Sequence, residues 1–357
     1  MEKLKVGLIG CGSIVPKHIK AVVENSGKME LAALCDTVPE KIDKAIEEYI
    51  KVGGTSQDRI KKSTDYRKLL EDPEIHIVTV ATISGIRPRI VLDALDAGKH
   101  VILEKPMALS TKEADEIIKK SEEKGLKVAV CHQLRFLPYM MKLKEEVDSG
   151  SFGKLVHASA SMRWNRNDDY YSSAPWRGTW EYDGGAFMNQ AIHVIDLLLW
   201  LMGDPERVYA ETGTFLKKIE AEDAGAAVIR FKNGAFGIIE ASVCVYPENL
   251  EETLGIFGEN GTVLIGGKAL NKVEVWNIKG KMPYEPKEIP ANLHTLLYED
   301  MADAILDDRE PLVNAREGKR AVELVLSIYK SSLTEKPVDM PLGDFSTKDM
   351  LGGKCKL

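Results

Sequence analysis

Lys105 follows the short apolar run His100–Leu103 and precedes Pro106. Ligands of open parallel sheets collect beyond the carboxyl ends of the strands, where a lysine can lower the pKa of a bound hydroxyl and stabilise a developing alkoxide. Pro106 holds the lysine extended; by position alone, a solvated strand-end lysine fits equally well. A second group lies in Gly184-Gly185-Ala-Phe-Met-Asn189-Gln-Ala-Ile-His193-Val-Ile-Asp196. Helical spacing puts Asn189, His193 and Asp196 on one face, since i, i+4 and i+7 stack above one another, with Met188, Ile192, Ile195 and Leu199 packed around them. A lone histidine on an apolar helix is more often a satisfied core residue than a catalyst. Three polar groups on one stripe would each need a buried partner, however, which favours a functional reading. Imidazole titrates near neutrality, as a proton acceptor should, and Asp196 would orient the ring.

A third group suits a dinucleotide. In Gly10-Cys11-Gly12-Ser13-Ile14-Val15 the first two glycines of a G-x-G-x-x-G fingerprint stand between an apolar strand and a helix. The first permits the tight turn and the second lets the backbone approach a pyrophosphate on the helix dipole. Val15 replaces the third glycine, and the turn by itself would also suit another α/β protein. The next strand ends at Asp36, where a carboxylate accepts from both ribose hydroxyls and repels a 2'-phosphate. Neither Thr37 nor Val38 supplies a cation to rescue NADP, so NAD is expected.

These groups need a platform, and the hydrophobic pattern predicts one. Strands at Lys5–Ile9, Met29–Cys35, Ile75–Ala81, His100–Leu103 and Lys127–Cys131 alternate with helices at Pro16–Asn25, Pro39–Lys51, Pro88–Ala97 and Lys112–Lys124. Such alternation predicts an α/β Rossmann domain, a parallel sheet covered on both faces, over residues 1–131. Beyond His132 longer period-2 runs appear at Val156–Trp164, Ala226–Phe231 and Gly237–Val245, with hairpin dipeptides Asn233-Gly234 and Asn260-Gly261. Helices are expected at 138–149, 186–202, 294–307 and 316–333. Residues 132–357 therefore read as an α+β catalytic domain with a large, mostly antiparallel, open-faced sheet.

At 357 residues two domains are the prior. Hydrophobic and charged fractions of 44% and 29% are those of an ordinary soluble globular protein. A net charge of -7 offers no basic field for a nucleic-acid backbone. The N-terminus lacks a signal-peptide pattern, and the most apolar stretch, Ala191–Gly203, is far shorter than the ~20 residues of a membrane span. Cys11, Cys35, Cys131, Cys244 and Cys355 show no C-x-x-C spacing, so neither disulfides nor a metal site is expected and a cytoplasmic location is. An exposed sheet face in the second domain would pair in a homodimer or homotetramer.

Glu104-Lys105-Pro106, preceded by Val80-Ala-Thr-Ile-Ser-Gly85 and Ala97-Gly-Lys-His100, closely resembles the Gfo/Idh/MocA family of sugar and cyclitol oxidoreductases over essentially the whole chain. The resemblance implies that Lys105 lies beside the nicotinamide and helps handle the hydroxyl proton, and that His193 is the catalytic histidine. It implies cofactor contacts at Gly10, Gly12, Ser13, Ile14, Asp36, Thr82, Ser84, Glu104, Lys105, Gln133, Trp176 and Arg177. Arg135 matches a position near the nicotinamide too, and His294 and Tyr298, one helical turn apart, are weaker candidates. Many members carry aspartate where this chain has Asn189, which argues against a plain inositol dehydrogenase.

Arg163-Trp-Asn-Arg166-Asn-Asp-Asp-Tyr170-Tyr171 and Trp176-Arg-Gly-Thr-Trp180 form a run of aromatics and arginines suited to the flat faces and diphosphate of a sugar nucleotide. A surface loop that uses its tryptophans for packing is the plain alternative. With Asp-Gly-Gly-Ala-Phe-Met-Asn-Gln, Tyr246-Pro-Glu-Asn-Leu-Glu251 and Gly258-Glu-Asn-Gly-Thr262, this looks like the WlbA-type branch. That implies oxidation of C3 of UDP-N-acetylglucosaminuronic acid, with Lys105, Arg163, Arg166, Tyr170, Arg177, Asn189 and His193 meeting the substrate. Some members of the branch keep NADH bound and reoxidise it with 2-oxoglutarate, which the residues leave open.

Overall fold

A computed structural model describes residues 3–55, 57–285 and 287–352. The chain forms two compact units, one of Met1–Ala108, Glu113–Phe136 and Pro290–Lys319, the other of Leu109–Lys112, Leu137–Ile289 and Arg320–Leu357. In the first, β1 (Leu4–Ile9), β2 (Met29–Cys35), β3 (Lys61–Ser63), β4 (Ile77–Val80), β5 (His100–Leu103) and β6 (Val128–Val130) pair in parallel in the order 3-2-1-4-5-6. Helices α1 (Val15–Glu24), α2 (Pro39–Lys51), α3 (Tyr66–Leu70), α4 (Arg87–Asp96) and α5 (Thr111–Lys124) connect them. β4 and β6 are buried throughout and β5 nearly so, which is why they read as short apolar runs rather than alternating ones. The strand order reverses between β1 and β4, and the loops leaving their carboxyl ends carry Gly10 and Thr82. This is the switch point at which doubly wound sheets bind ligands.

The second unit begins with α6 (Pro138–Asp148), β7 (Leu155–Arg163), α7 (Asp168–Ser172) and α8 (Ile192–Met202). Strands β8 (Pro205–Gly213), β9 (Ala224–Phe231), β10 (Phe236–Ser242), β11 (Glu251–Gly258), β12 (Gly261–Gly266) and β13 (Lys272–Ile278) follow. After α9 (Leu293–Leu306) and α10 (Ala315–Thr334) comes β14 (Val338–Asp339), which completes an eight-stranded sheet ordered 13-12-11-7-10-9-8-14. Both Asn-Gly dipeptides close hairpins, β9–β10 and β11–β12. The sheet is mixed: β7 and β10 run parallel at its centre, and the remaining pairs are antiparallel. Along β9 and β10 residues alternate between buried and solvent-facing, which leaves Val228, Phe236 and Ile238 exposed. No helix among the described residues is long and apolar enough to cross a membrane.

A division at His132 does not describe the compact units, because α9 and residues up to Phe136 group with the first. Leu297, Tyr298, Met301 and Ala302 of α9 share one core with Val15, Ile19 and Val22 of α1 and with Leu8 and Leu34 of the sheet. The period of α9 announces a helix; which core it joins is decided only when the chain returns. Leu297 is 1% exposed, and Leu297→Ala should cost about 2–5 kcal/mol through lost transfer energy and a residual cavity, measured by urea denaturation.

Candidate functional site

In the first unit, Gly10 has φ 96° and donates to the Cys35 carbonyl at 2.8 Å. A Cβ there would stand 2.6 Å from the Ala81 carbonyl oxygen, so only glycine fits. At Gly12 a Cβ would meet nothing within 4 Å, and it would project into open space in front of α1. Val15 does not obstruct the turn, because its side chain is buried in the core at the first residue of α1. Ser13 is exposed and Ile14 half-buried beside it.

Asp36 ends β2 with both carboxylate oxygens fastened, Oδ2 by the Cys11 N–H at 2.8 Å and Oδ1 by the Val38 N–H at 2.9 Å. Thr82 Oγ1 and Gln133 Oε1 are buried without a hydrogen-bond partner among the described residues, and Ser84 is buried at the start of a short 3-10 turn. An open glycine turn, an anchored acid and two orphaned polar atoms form a set that fits a dinucleotide.

Lys105 is half-buried at the end of β5, and the Lys105–Pro106 peptide is cis. The preceding acid, expected at the cofactor, is engaged by protein groups instead. Glu104 is 7% exposed; its Oε2 accepts from the Lys105 N–H at 3.1 Å, and its Oε1 lies 3.3 Å from His294 Nε2 and 3.2 Å from His18 Nε2. His18 Nδ1 is 3.0 Å from the Tyr298 hydroxyl, which lies 2.7 Å from Thr79 Oγ1. Burial pushes the Glu104 carboxyl up, but the two imidazoles outweigh it and hold the group well below the usual carboxylate range. Burial drives His18 toward its neutral form and pushes the Cys131 thiol well up.

The donor atoms of His18, Glu104, Cys131 and His294 lie within 4.8 Å of one another. Spacing could not announce this set, since its members come from α1, from the residues just after β5 and β6, and from α9. Of the weaker candidates, His294 and Tyr298 therefore join a buried network. Arg135 is 1% exposed and pairs with Glu317 at 2.8 Å, an internal ion pair of the first unit.

In the second unit, the stripe of Asn189, His193 and Asp196 is broken at its first member. Phe187–Ala191 form a π turn and regular helix starts only at Ile192, so the i, i+4 relation does not hold across the junction. Asn189 donates its side-chain amide to Asp183, Asp196 is buried, and His193 stands half-buried in the first turn of α8.

Glu222 seats this turn and was not singled out by sequence. Its Oε1 accepts from the Phe187 N–H at 2.8 Å and lies 2.9 Å from the Tyr329 hydroxyl, which donates to the Gly184 carbonyl. A Cβ on Gly185 would stand 1.6 Å from Glu222 Oε2. Tyr329 has one proton for two acceptors, and a proton on Glu222 resolves the conflict. Burial accordingly pushes the Glu222 carboxyl up to about 8.

The arginines of the aromatic run separate. Arg163 is not free for a diphosphate: its guanidinium pairs with Glu240 and Glu251 across β10 and β11, a clamp on three neighbouring strands. Arg166 and Arg177 have no carboxylate partner among the described residues, and both guanidinium groups lie over the Tyr170 ring, 5.1 and 4.1 Å from its centroid. Arg166 also covers Trp164, Arg177 covers Trp176, and the Tyr170 hydroxyl accepts from Gln190 of the π turn at 3.1 Å.

Residues 4–132 match the family model described as "Oxidoreductase family, NAD-binding Rossmann fold", and residues 140–264 match the GFO/IDH/MocA C-terminal domain. The structure of the WlbA dehydrogenase from Bordetella pertussis, in complex with NADH and UDP-GlcNAcA, superposes with a TM-score of 0.87 at 35% identity, over 96% of this chain and 100% of that one. Myo-inositol 2-dehydrogenase of Thermotoga maritima is 29% identical, over 73% of this chain and 74% of that protein. Levoglucosan dehydrogenase of Pseudarthrobacter phenanthrenivorans is 25% identical, over 77% of this chain and 76% of that protein.

Asp36→Ala should weaken NAD binding by about 10- to 100-fold, the loss of hydrogen bonds to a charged group, while NADP weakens less; fluorescence titration with both reduced cofactors reads the ratio. Glu222 carries a second expectation. Its pKa is raised from 4.5 to about 8 on folding, so between those values the native state holds a proton that the unfolded state has lost. Its contribution to stability therefore falls as pH rises through that window and levels off above it. Glu222→Gln should gain stability relative to wild type at pH 9 compared with pH 5 in paired urea melts; an equal difference at both would rule out the titration.

Proposed function

The chain belongs to the Gfo/Idh/MocA oxidoreductase family, and we propose that it oxidises the C3 hydroxyl of UDP-N-acetylglucosaminuronic acid to the 3-keto sugar nucleotide. NAD, when bound, supplies the hydride acceptor. Gly10 and Gly12 leave room for its pyrophosphate, Asp36 receives the ribose, and Thr82 and Gln133 offer their orphaned atoms to it. His193 takes the hydroxyl proton, and the ammonium of Lys105 stabilises the alkoxide as it develops. Asn189, held by Asp183, binds the sugar.

The observation that carries the substrate class is the pair of guanidinium groups, Arg166 and Arg177, that lie over the ring of Tyr170. Two guanidinium groups that lack carboxylate partners among the described residues, backed by aromatic faces, suit a diphosphate or a uronate. Trp176 stands with Arg177 in this group. The exposed apolar face of the large sheet supports assembly into a homodimer or homotetramer. The described cysteines, none in a disulfide, suit the reducing cytoplasm.

The test is to incubate the protein with NAD and 2-oxoglutarate and to follow UDP-N-acetylglucosaminuronic acid and UDP-N-acetylglucosamine separately by mass spectrometry. Loss of two hydrogens from the uronate alone is the expected result, and 2-oxoglutarate guards against trapped NADH. Oxidation of the neutral sugar nucleotide would keep the chemistry and change the substrate. If neither reacts, the free sugars and cyclitols oxidised by the inositol and levoglucosan dehydrogenases come next. A non-catalytic NAD-binding regulator would be left if those fail as well.

A further inference from the structure

We propose that Arg87 and Glu104 are positioning residues that grip the Lys105–Pro106 segment from both ends and so fix where the lysine ammonium is presented. The inference rests on Lys105 acting in the reaction proposed above. Arg87 is the first residue of α4 and is 5% exposed. Its Nη1 donates to the Pro106 carbonyl at 2.5 Å and its Nη2 to the Thr82 carbonyl at 2.5 Å. These carbonyls leave the ends of β5 and β4, neighbours in the sheet, just beyond the bond from the Glu104 N–H to the Val80 carbonyl at 3.1 Å. Past that point the ladder no longer holds the chain, and one planar guanidinium fork joins the two loops. A lysine, with a single ammonium, does not reproduce that fork.

From the other side Glu104 Oε2 takes the Lys105 N–H. The amide of residue 105 and the carbonyl of residue 106 are thus both held by buried side chains. The charges belong together. Burial lowers the Arg87 pKa only to about 10, so the group is cationic at neutral pH, and ionised Glu104 is the anion that opposes this lowering. Arg87 Nε has no hydrogen-bond partner among the described residues, although buried donors normally find one. The fork is seated for its two carbonyls at the expense of its third nitrogen. A cation centred on His18, Glu104, Cys131 and His294 would compete with Arg87 for the same carboxylate.

The full-length protein and its Arg87→Met, Arg87→Lys and Arg87→Met/Glu104→Gln variants test this. The measurements are kcat, KM, NADH affinity, melting temperature and competitive amine labelling of each lysine read by mass spectrometry. Labelling needs no substrate. Arg87→Met should change the labelling rate of Lys105 about fivefold or more and leave Lys68 and Lys217 unchanged, and should lower kcat about tenfold or more with the substrate KM nearly unaltered. Arg87→Lys should not restore either. The charge-balanced double variant should recover melting temperature lost in Arg87→Met without recovering kcat or the labelling rate. A folded Arg87→Met protein whose Lys105 labels at the wild-type rate overturns the proposal. So does stoichiometric zinc in the purified protein whose removal by chelation alters Lys105 labelling, for then a metal holds the carboxylate. If wild type oxidises no sugar at all, the proposed reaction fails, and the labelling comparison still decides whether Arg87 and Glu104 hold the segment.

Discussion

The carboxylate of Glu104 is buried beside a half-buried lysine, and a charge withdrawn from water must be matched by partners fixed in the fold. Those partners come from separated parts of the chain: His18 from α1 and His294 from α9. This requirement, together with the apolar contacts of Leu297 and Met301, accounts for α9 returning to the first unit after more than a hundred residues spent elsewhere. Tyr298 and Thr79 extend the network into the sheet. The segment that carries Lys105 is therefore braced from several elements rather than left as a strand-end loop.

The second unit meets a similar problem by protonation. Glu222 lies under the turn that opens the helix bearing His193, and it has no ion-pair partner among the described residues; Oε1 of the neutral acid, one tyrosine and two main-chain groups bond to one another instead. Gly185 has no room for a side chain because the carboxyl occupies it. Immediately beyond, the chain takes a π turn, a form of helix that persists where surrounding contacts over-determine it and that recurs at functional sites. The arginines illustrate the same accounting. Arg163 is neutralised within the sheet and acts as a clamp, whereas Arg166 and Arg177 rest on aromatic faces with no carboxylate paired to them among the described residues.

What the amino-acid order determined by itself was everything written in local periodicity and turn chemistry. The βαβ alternation, the glycine turn before α1, the acid at the end of β2, the lysine after β5 and the two Asn-Gly hairpins are each specified within a few residues, because strand and helix periods and positive-φ turns are local properties. Only the tertiary structure decided which groups separated in sequence share one buried space. It placed α9 in the first unit, made Glu104 a partner of His18 and His294, set Arg87 across two loop carbonyls and paired β7 with β10 in parallel. It also turned the regular stripe of Asn189 and His193 into a π junction. Burial and electrostatic matching are non-local, so no spacing rule along the chain could anticipate them.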